Sequence, residues 1–189
     1  MRAAGFVLVG GRSSRMGRNK ALLPWRDSTL VHEIAAKVLA AAGSVALVGP
    51  SQFPDAPRFD CVADLRPGFG PLSGIEGALA SGRGELNLIV SCDLPLLDTQ
   101  WLKHLLEEAR SRNEKCLMSE DSEGRLHPLC AVYRSDCLPA VRMALDSGHL
   151  RLMDVVEELG AAHVRMSAPL WNVNTPEDWE RYREFANAG

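Results

Sequence analysis

Short runs of apolar, often β-branched residues alternate along this chain with longer stretches in which apolar positions recur every three or four residues. The short runs predict strands at Ala4 to Val9, Ser44 to Val48, Asp60 to Ala63, Leu86 to Cys92, Lys115 to Ser119, Pro128 to Tyr133 and Ala162 to Arg165. Several are apolar throughout, as strands covered on both faces are. The longer stretches predict helices, and caps mark their ends. One runs from Ser28 or Thr29 to Ala42 and closes at Gly43, a residue suited to a left-handed C-cap. Pro71 to Ser81 is the next. A third starts at Asp98 or Thr99 and reaches about Arg112, with Trp101, Leu102, Leu105, Leu106 and Ala109 on one face. Shorter helices begin near Ser135 and span Leu152 to Leu159. The last opens at Thr175-Pro176-Glu177-Asp178, which supplies an N-cap, a first-turn proline and acidic residues at the positive helix end.

Strands alternating with helices predict an α/β fold of βα units on a largely parallel sheet. No fixed-period repeat, low-complexity tract or linker interrupts the pattern, so residues 1–189 are expected to form a single domain. Glu120 to Leu126 (EDSEGRL) reads as a polar loop, either a lid or a solvated turn.

Composition narrows the function classes. The chain has 189 residues, 46% of them hydrophobic and 24% charged, the balance of an ordinary globular protein. Its five cysteines are odd in number and lack a C-x-x-C pair, which suggests neither a disulfide framework nor a zinc site and makes a reducing cytoplasm the default. The apolar run at Ala3 to Val9 is too short for a signal peptide, and no stretch approaches 18 apolar residues, so no membrane association is expected. The formal charge of −3, with basic residues scattered except around Arg12 to Lys20, argues against nucleic acid as a partner.

Candidate chemistry sits where predicted strands end. Phe6 to Val9 runs into Gly10-Gly11, then Arg12-Ser13-Ser14-Arg15-Met16-Gly17-Arg18-Asn19-Lys20, before any helix can start. Three glycines allow close backbone approach and four cations surround the same point, a combination that suits a phosphate guest. The spacing fits neither the P-loop, which needs Lys-Ser/Thr directly after its last glycine, nor G-x-G-x-x-G. Leu88 to Pro95 delivers one carboxylate, Asp93, at a strand's carboxyl end, where open α/β sheets bind ligands and where Mg²⁺ can be held together with substrate phosphates. A turn cap formed with Pro95 is the bland alternative for Asp93. Asp64 to Gly74, with Pro71, Leu72 and Gly74, places a helix start whose backbone N–H groups can meet a polar ligand. Asn172 and Asn174 would project to one side of an extended segment, or serve a turn before the last helix.

Taken together and in order, these residues resemble the molybdenum cofactor guanylyltransferase family over nearly the whole chain. The marks are Leu8-Val9-Gly10-Gly11, Ser14-Arg15-Met16-Gly17, Lys20-Ala21-Leu22-Leu23, Gly70-Pro71-Leu72-Ser73-Gly74, Cys92-Asp93-Leu94-Pro95 and Asn172-Val173-Asn174-Thr175-Pro176. The resemblance implies a three-layer α/β/α, Rossmann-like nucleotidyltransferase fold with a mostly parallel, mixed sheet. It implies transfer of GMP from GTP to molybdopterin with Mg²⁺ as cofactor, release of pyrophosphate and no protein nucleophile, and it leaves room for contacts with molybdoenzymes or their chaperones. Carried over by position, Leu8, Val9, Gly10 and Gly11 would contact the nucleotide with Pro71, Leu72 and Gly74, and Asp64 would help hold the nucleoside. Arg15 and Lys20 would neutralise its phosphates, Asp93 would bind Mg²⁺, and Asn172 and Asn174 would line the reaction centre. Arg125, His127 and Pro128 would face the pterin, although His127 alone is equally compatible with an exposed, idle histidine. The chain departs from the family where Asn19 replaces the usual Asp, Val9 the usual Ala, and Gly49-Pro50 the usual Asn.

Three other readings stay open at this level. A cytidylyltransferase acting on the same pterin shares the flavour of Leu22-Leu23-Pro24, but Gly10 leaves room for the exocyclic amino group of guanine. A sugar-phosphate nucleotidyltransferase would be expected to carry an extra sugar-binding insert. A non-catalytic nucleotide-binding module would tolerate losing Asp93 or Lys20, and both are present.

Overall fold

The computed structural model describes residues 1–9, 20–25, 28–49 and 59–188. Its centre is β1 (Ala3–Leu8), where alternation sorts the side chains: Ala4, Phe6 and Leu8 face one apolar cluster and Val7 the other. β4 (Val45–Gly49) and then β5 (Asp60–Ala63) lie on one side of it. On the other side come β6 (Leu86–Ser91), β8 (Leu126–Arg134), β7 (Cys116–Glu120) and β9 (Ala162–Arg165). All neighbours pair in parallel except those of β8, which runs antiparallel to β6 and β7. The alternation had predicted the strands but could not fix the direction of β8.

Helices cover both faces. α1 (Leu30–Ala42), α3 (Thr99–Ser111) and α6 (Pro176–Ala188) bury Ile34, Val38, Leu102, Leu105 and Trp179 on the Val7 side. α2 (Pro71–Ala80), α4 (Leu138–Asp146) and α5 (Leu152–Glu158) bury Leu72, Ile75, Val141, Leu145 and Val156 against Phe6 on the other. This is the expected three-layer α/β/α arrangement with a mixed sheet. The fourth helix departs in detail: Ser135–Cys137 forms a single 3-10 turn and α4 starts at Leu138, followed by Pro139, a first-turn position where its missing N–H costs nothing. A two-stranded ribbon of β2 (Pro24–Trp25) and β3 (Ser28–Thr29) precedes α1, and the sequence pattern gave no sign of it. Among the described residues, no helix is long and apolar enough to cross a membrane.

Two close approaches set the distance between layers. At Gly5 an added Cβ would lie 2.3 Å from Val38 Cγ1 and 2.6 Å from the Ser44 carbonyl oxygen, so α1 packs directly on the β1 backbone. At Gly77 it would lie 2.7 Å from the Ala63 carbonyl oxygen, which brings α2 against the last residue of β5. Both contacts fix helices relative to the strand ends that carry the candidate chemistry.

Candidate active site

The carboxyl edge of the sheet gathers these strand ends. Chain order reverses between β1 and β6, so the segments that follow these two strands flank the sheet's switch point, where open α/β sheets bind ligands. β1 leads through Val9 into residues 10–19. Gly10, Gly11, Arg15 and Asn19 lie outside the described residues, as do Pro50 and the side chain of Lys20. Leu8 and Val9 are buried, and their backbones tie the edge together: Val9 N–H donates to the Val48 carbonyl (2.9 Å), and the Leu8 carbonyl accepts from Cys92 N–H (3.2 Å).

β6 leads into Asp93, which is buried at 6% exposure. Three elements hold its loop: the Asp93 carbonyl accepts from Val173 N–H (2.8 Å), and the Pro95 carbonyl accepts from Lys37 Nζ (3.1 Å) and Tyr182 OH (3.5 Å). The turn that follows closes through Leu97 N–H on the Leu94 carbonyl (3.2 Å). Burying a carboxylate at an edge built to receive ligands is costly unless a cation or hydrogen bonds meet it. No group of three or more His, Cys, Asp or Glu that could cage a metal exists among the described residues. One carboxylate without a protein cage fits Mg²⁺, which keeps waters and substrate phosphates as its other ligands.

The Val173 contact carries the neighbouring amides with it. Residues 171–174 form no regular strand, yet Val173 is buried, Asn172 half-buried and Asn174 exposed. The turn anticipated here is present as well, in reciprocal form. Asp178 Oδ2 accepts from Asn174 N–H and Thr175 N–H (both 2.9 Å), and Thr175 Oγ1 accepts from Asp178 N–H (3.1 Å), a capping box at the start of α6. The Asn174 N–H bond, with the two Thr175 contacts, outweighs desolvation and holds the Asp178 carboxyl below its ordinary range. Because the folded value is depressed, the stabilisation is present above the unfolded value of about 3.9 and is lost as pH falls through the folded one. Asp178→Ala is therefore expected to cost about 1 kcal/mol at neutral pH. Urea titrations taken to lower pH should show the gap from wild type closing.

Asp64 follows β5. Its Oδ1 accepts from Arg66 N–H (3.0 Å) and from the Ser73 hydroxyl, so the carboxylate binds its own loop to the start of α2. That helix opens at Gly70 and Pro71 with no side-chain cap, leaving its first turn facing the edge. Leu72 is a core side chain, and a Cβ at Gly74 would lie 3.1 Å from Leu8 Cδ2. Any contact from Leu72 or Gly74 to a nucleotide must then come from the backbone. Behind this loop lies a network that sequence reasoning missed. Buried Glu76 receives Arg66 Nε (3.0 Å) and Arg142 Nε (3.1 Å), and Arg66 Nη1 reaches Asp146 (2.5 Å). A lone Glu among Leu72, Ser73, Gly74, Ile75, Gly77 and Ala78 was the available signal, since a buried carboxylate demands cations.

The stretch Glu120 to Leu126 takes the solvated-turn form of the polar-loop reading, with residues 122–125 exposed, and differs from it only at its ends. Glu120 and Leu126 belong to paired strands, and Ser122, Glu123 and Gly124 form a tight turn, with Gly124 at φ +82°. Asp121 builds it. Its Oδ1 accepts from Glu123 N–H and Arg125 N–H (both 2.9 Å), and its Oδ2 meets His127 Nε2 (2.9 Å). His127 is not an exposed, idle histidine: its side chain is 6% exposed and that of Asp121 1%. Because β8 is antiparallel, it begins at the carboxyl edge, and that brings His127 and Pro128 to the side of the sheet that holds Asp93. Arg125 is exposed on the turn, 3.9 Å from Glu123.

Burial pushes the thiols of Cys130 and Cys137 up to about 12, so neither supplies a thiolate near neutral pH.

The pattern of the MobA-like NTP transferase domain matches residues 5–164. A molybdenum cofactor guanylyltransferase of Xanthomonas euvesicatoria is 33% identical over 184 residues, covering 94% of this chain and 92% of its own. A probable molybdenum cofactor guanylyltransferase of Flavobacterium johnsoniae is 32% identical over 154 residues, covering 82% and 80%. The crystal structure of molybdopterin-guanine dinucleotide biosynthesis protein A from Archaeoglobus fulgidus superposes with a TM-score of 0.81 at 20% identity, covering 98% of this chain and all of the other. The strand order, the buried aspartate at the switch point and these matches agree, and the chain is a nucleotidyltransferase of the MobA-like NTP transferase family.

Proposed function

We propose that this protein transfers GMP from GTP to the terminal phosphate of molybdopterin, forming the guanine dinucleotide cofactor and releasing pyrophosphate. The observation that carries the reading is the buried Asp93 at the end of β6, beside the carboxyl end of β1 and tied through Val173 to Asn172 and Asn174. The names of the relatives support the choice of substrates.

The reaction is an in-line displacement at the α-phosphorus, so the protein's work is positioning and charge neutralisation. Leu8, Val9, Gly10 and Gly11 hold the nucleotide with the uncapped start of α2 at Pro71, Leu72 and Gly74, and Asp64 holds the nucleoside. Arg15 and Lys20 draw charge off the triphosphate. Asp93 holds Mg²⁺, which when bound supplies further neutralisation of the phosphate oxygens. Asn172 and Asn174 line the reacting centre as neutral donors and acceptors. Arg125, His127 and Pro128 face the pterin.

Purified protein given Mg²⁺ and GTP is expected to release pyrophosphate only when molybdopterin is added. Release that ignores molybdopterin, or none at all, sinks the proposal.

A further inference from the structure

The loop that joins β5 to α2 buries almost nothing of its own. Leu65, Pro67, Gly68, Phe69 and Gly70 are exposed, and Arg66 alone among residues 65–70 is half-buried. With so few apolar anchors, polar contacts must hold the loop's shape. They converge on Arg66. Its N–H donates to Asp64 Oδ1 and Ser73 Oγ (both 3.0 Å), and its carbonyl accepts from Phe69 N–H (3.1 Å). Its guanidinium meets two carboxylates, Glu76 on α2 (Nε to Oε2, 3.0 Å) and Asp146 on α4 (Nη1 to Oδ1, 2.5 Å).

The two carboxylates are not equivalent. Asp146 is 66% exposed, and an ion pair in water contributes little. Glu76 is buried, on a helix whose other buried side chains include Leu72, Ile75 and Leu79. Arg142 on α4 supplies its second cation, with Nε 3.1 Å from Oε1. A well-packed apolar side chain at 76 would join α2 to α4 without the desolvation cost of a carboxylate, so packing does not account for this residue. What an ionised Glu76 does and Leu cannot is grip the guanidinium of a loop that has no other buried side chain. Asp64 stands at the head of that loop and the uncapped first turn of α2 at its tail.

We propose that Glu76 is a positioning residue: through Arg66 it holds residues 64–70, and with them the Asp64 carboxylate and the start of α2, in the arrangement that receives the nucleotide. Arg66 is the tether and not a phosphate ligand, because its guanidinium is already committed to Glu76 and Asp146. The inference rests on the proposed function for the identity of the nucleotide. The tether does not.

Calorimetric titration of GTP with Mg²⁺ into Arg66→Gln, Glu76→Gln, their double variant and Arg142→Gln tests it. A loop that keeps its binding shape only about one-tenth of the time raises the apparent Kd roughly 10-fold, and that loss is expected in Arg66→Gln and in Glu76→Gln. The double variant should lose no more than the larger single loss, since both substitutions cut one tether. Arg142→Gln keeps the tether, so it should lower Tm and leave Kd for GTP at the wild-type value. Losses that multiply in the double variant, an equal loss in Arg142→Gln, or no loss in Arg66→Gln would each overturn the proposal. If Glu76→Gln fails to fold, Arg66→Gln against Arg142→Gln still decides it. Hydrogen exchange gives a readout that needs no ligand: relative to the amides of β1 and β6, the Phe69 amide should exchange faster in Arg66→Gln and not in Arg142→Gln. Unchanged Phe69 exchange defeats the tether alone, whereas wild-type protein that binds no GTP defeats the reading of function.

Discussion

Asp93→Ala is expected to lower kcat for pyrophosphate release by about 10³-fold, a loss of roughly 4 kcal/mol of transition-state stabilisation. Asp93 is the carboxylate at the sheet's switch point, buried and held from three sides through its own carbonyl and that of Pro95. Those anchors end on the main-chain carbonyls of Asp93 and Pro95, which the substitution keeps. Far-ultraviolet circular dichroism and the unfolding midpoint should accordingly change little. Mg²⁺ titrations complete the measurement: the variant should need far more metal or none should help. Activity that survives with unchanged Mg²⁺ dependence would show that the metal is held elsewhere.

Gly5→Ala should be the most damaging small substitution for stability. The new methyl would sit 2.3 Å from Val38 Cγ1, which can rotate, but also 2.6 Å from the Ser44 carbonyl oxygen, which cannot without moving the chain. Both residues flank the packing of α1 on β1, and β4 hydrogen-bonds to β1 from the same side through Gly5 N–H on that Ser44 carbonyl (3.2 Å). Overpacking of a core typically costs 1–3 kcal/mol, and a backbone clash on the central strand places this case at about 3 kcal/mol or more. For a chain of this size that is a fall in Tm of about 10 °C. A variant with wild-type Tm would mean that α1 and β4 can yield more than their packing suggests. The same loss of register would displace Val9 and the segment after it, so activity should fall with stability.

The two substitutions mark what a sequence reader can and cannot see. Asp93 was legible because a single carboxylate follows an apolar run, and the end of such a strand in an α/β pattern is where ligands bind. Gly5 looked like any glycine in a strand, since its neighbour Val38 is 33 residues away and only the packed structure brings them together. Direction was hidden in the same way. The run Pro128 to Tyr133 says strand, but antiparallel pairing follows from the Asp121 turn, whose role depends on hydrogen bonds from Glu123, Arg125 and His127. An Asp three residues before a glycine was the trace of that turn in the sequence. Thr175-Pro176-Glu177-Asp178 was fully legible, because a capping box is local and all its partners lie within four residues. Glu76 was not, because Arg66 and Arg142 approach it from a loop and from another helix. The glycine-and-cation run from Gly10 to Lys20 is the opposite case: its proposed chemistry is read from residue types alone.

Base choice is the claim on which the proposed activity turns, because it rests on Gly10 leaving room for the exocyclic amino group of guanine. The direct measurement is a competition in which purified protein, Mg²⁺ and molybdopterin receive equal GTP and CTP, with the dinucleotide products resolved by mass. The account predicts the guanine dinucleotide as the dominant product; equal amounts of the guanine and cytosine dinucleotides would contradict it.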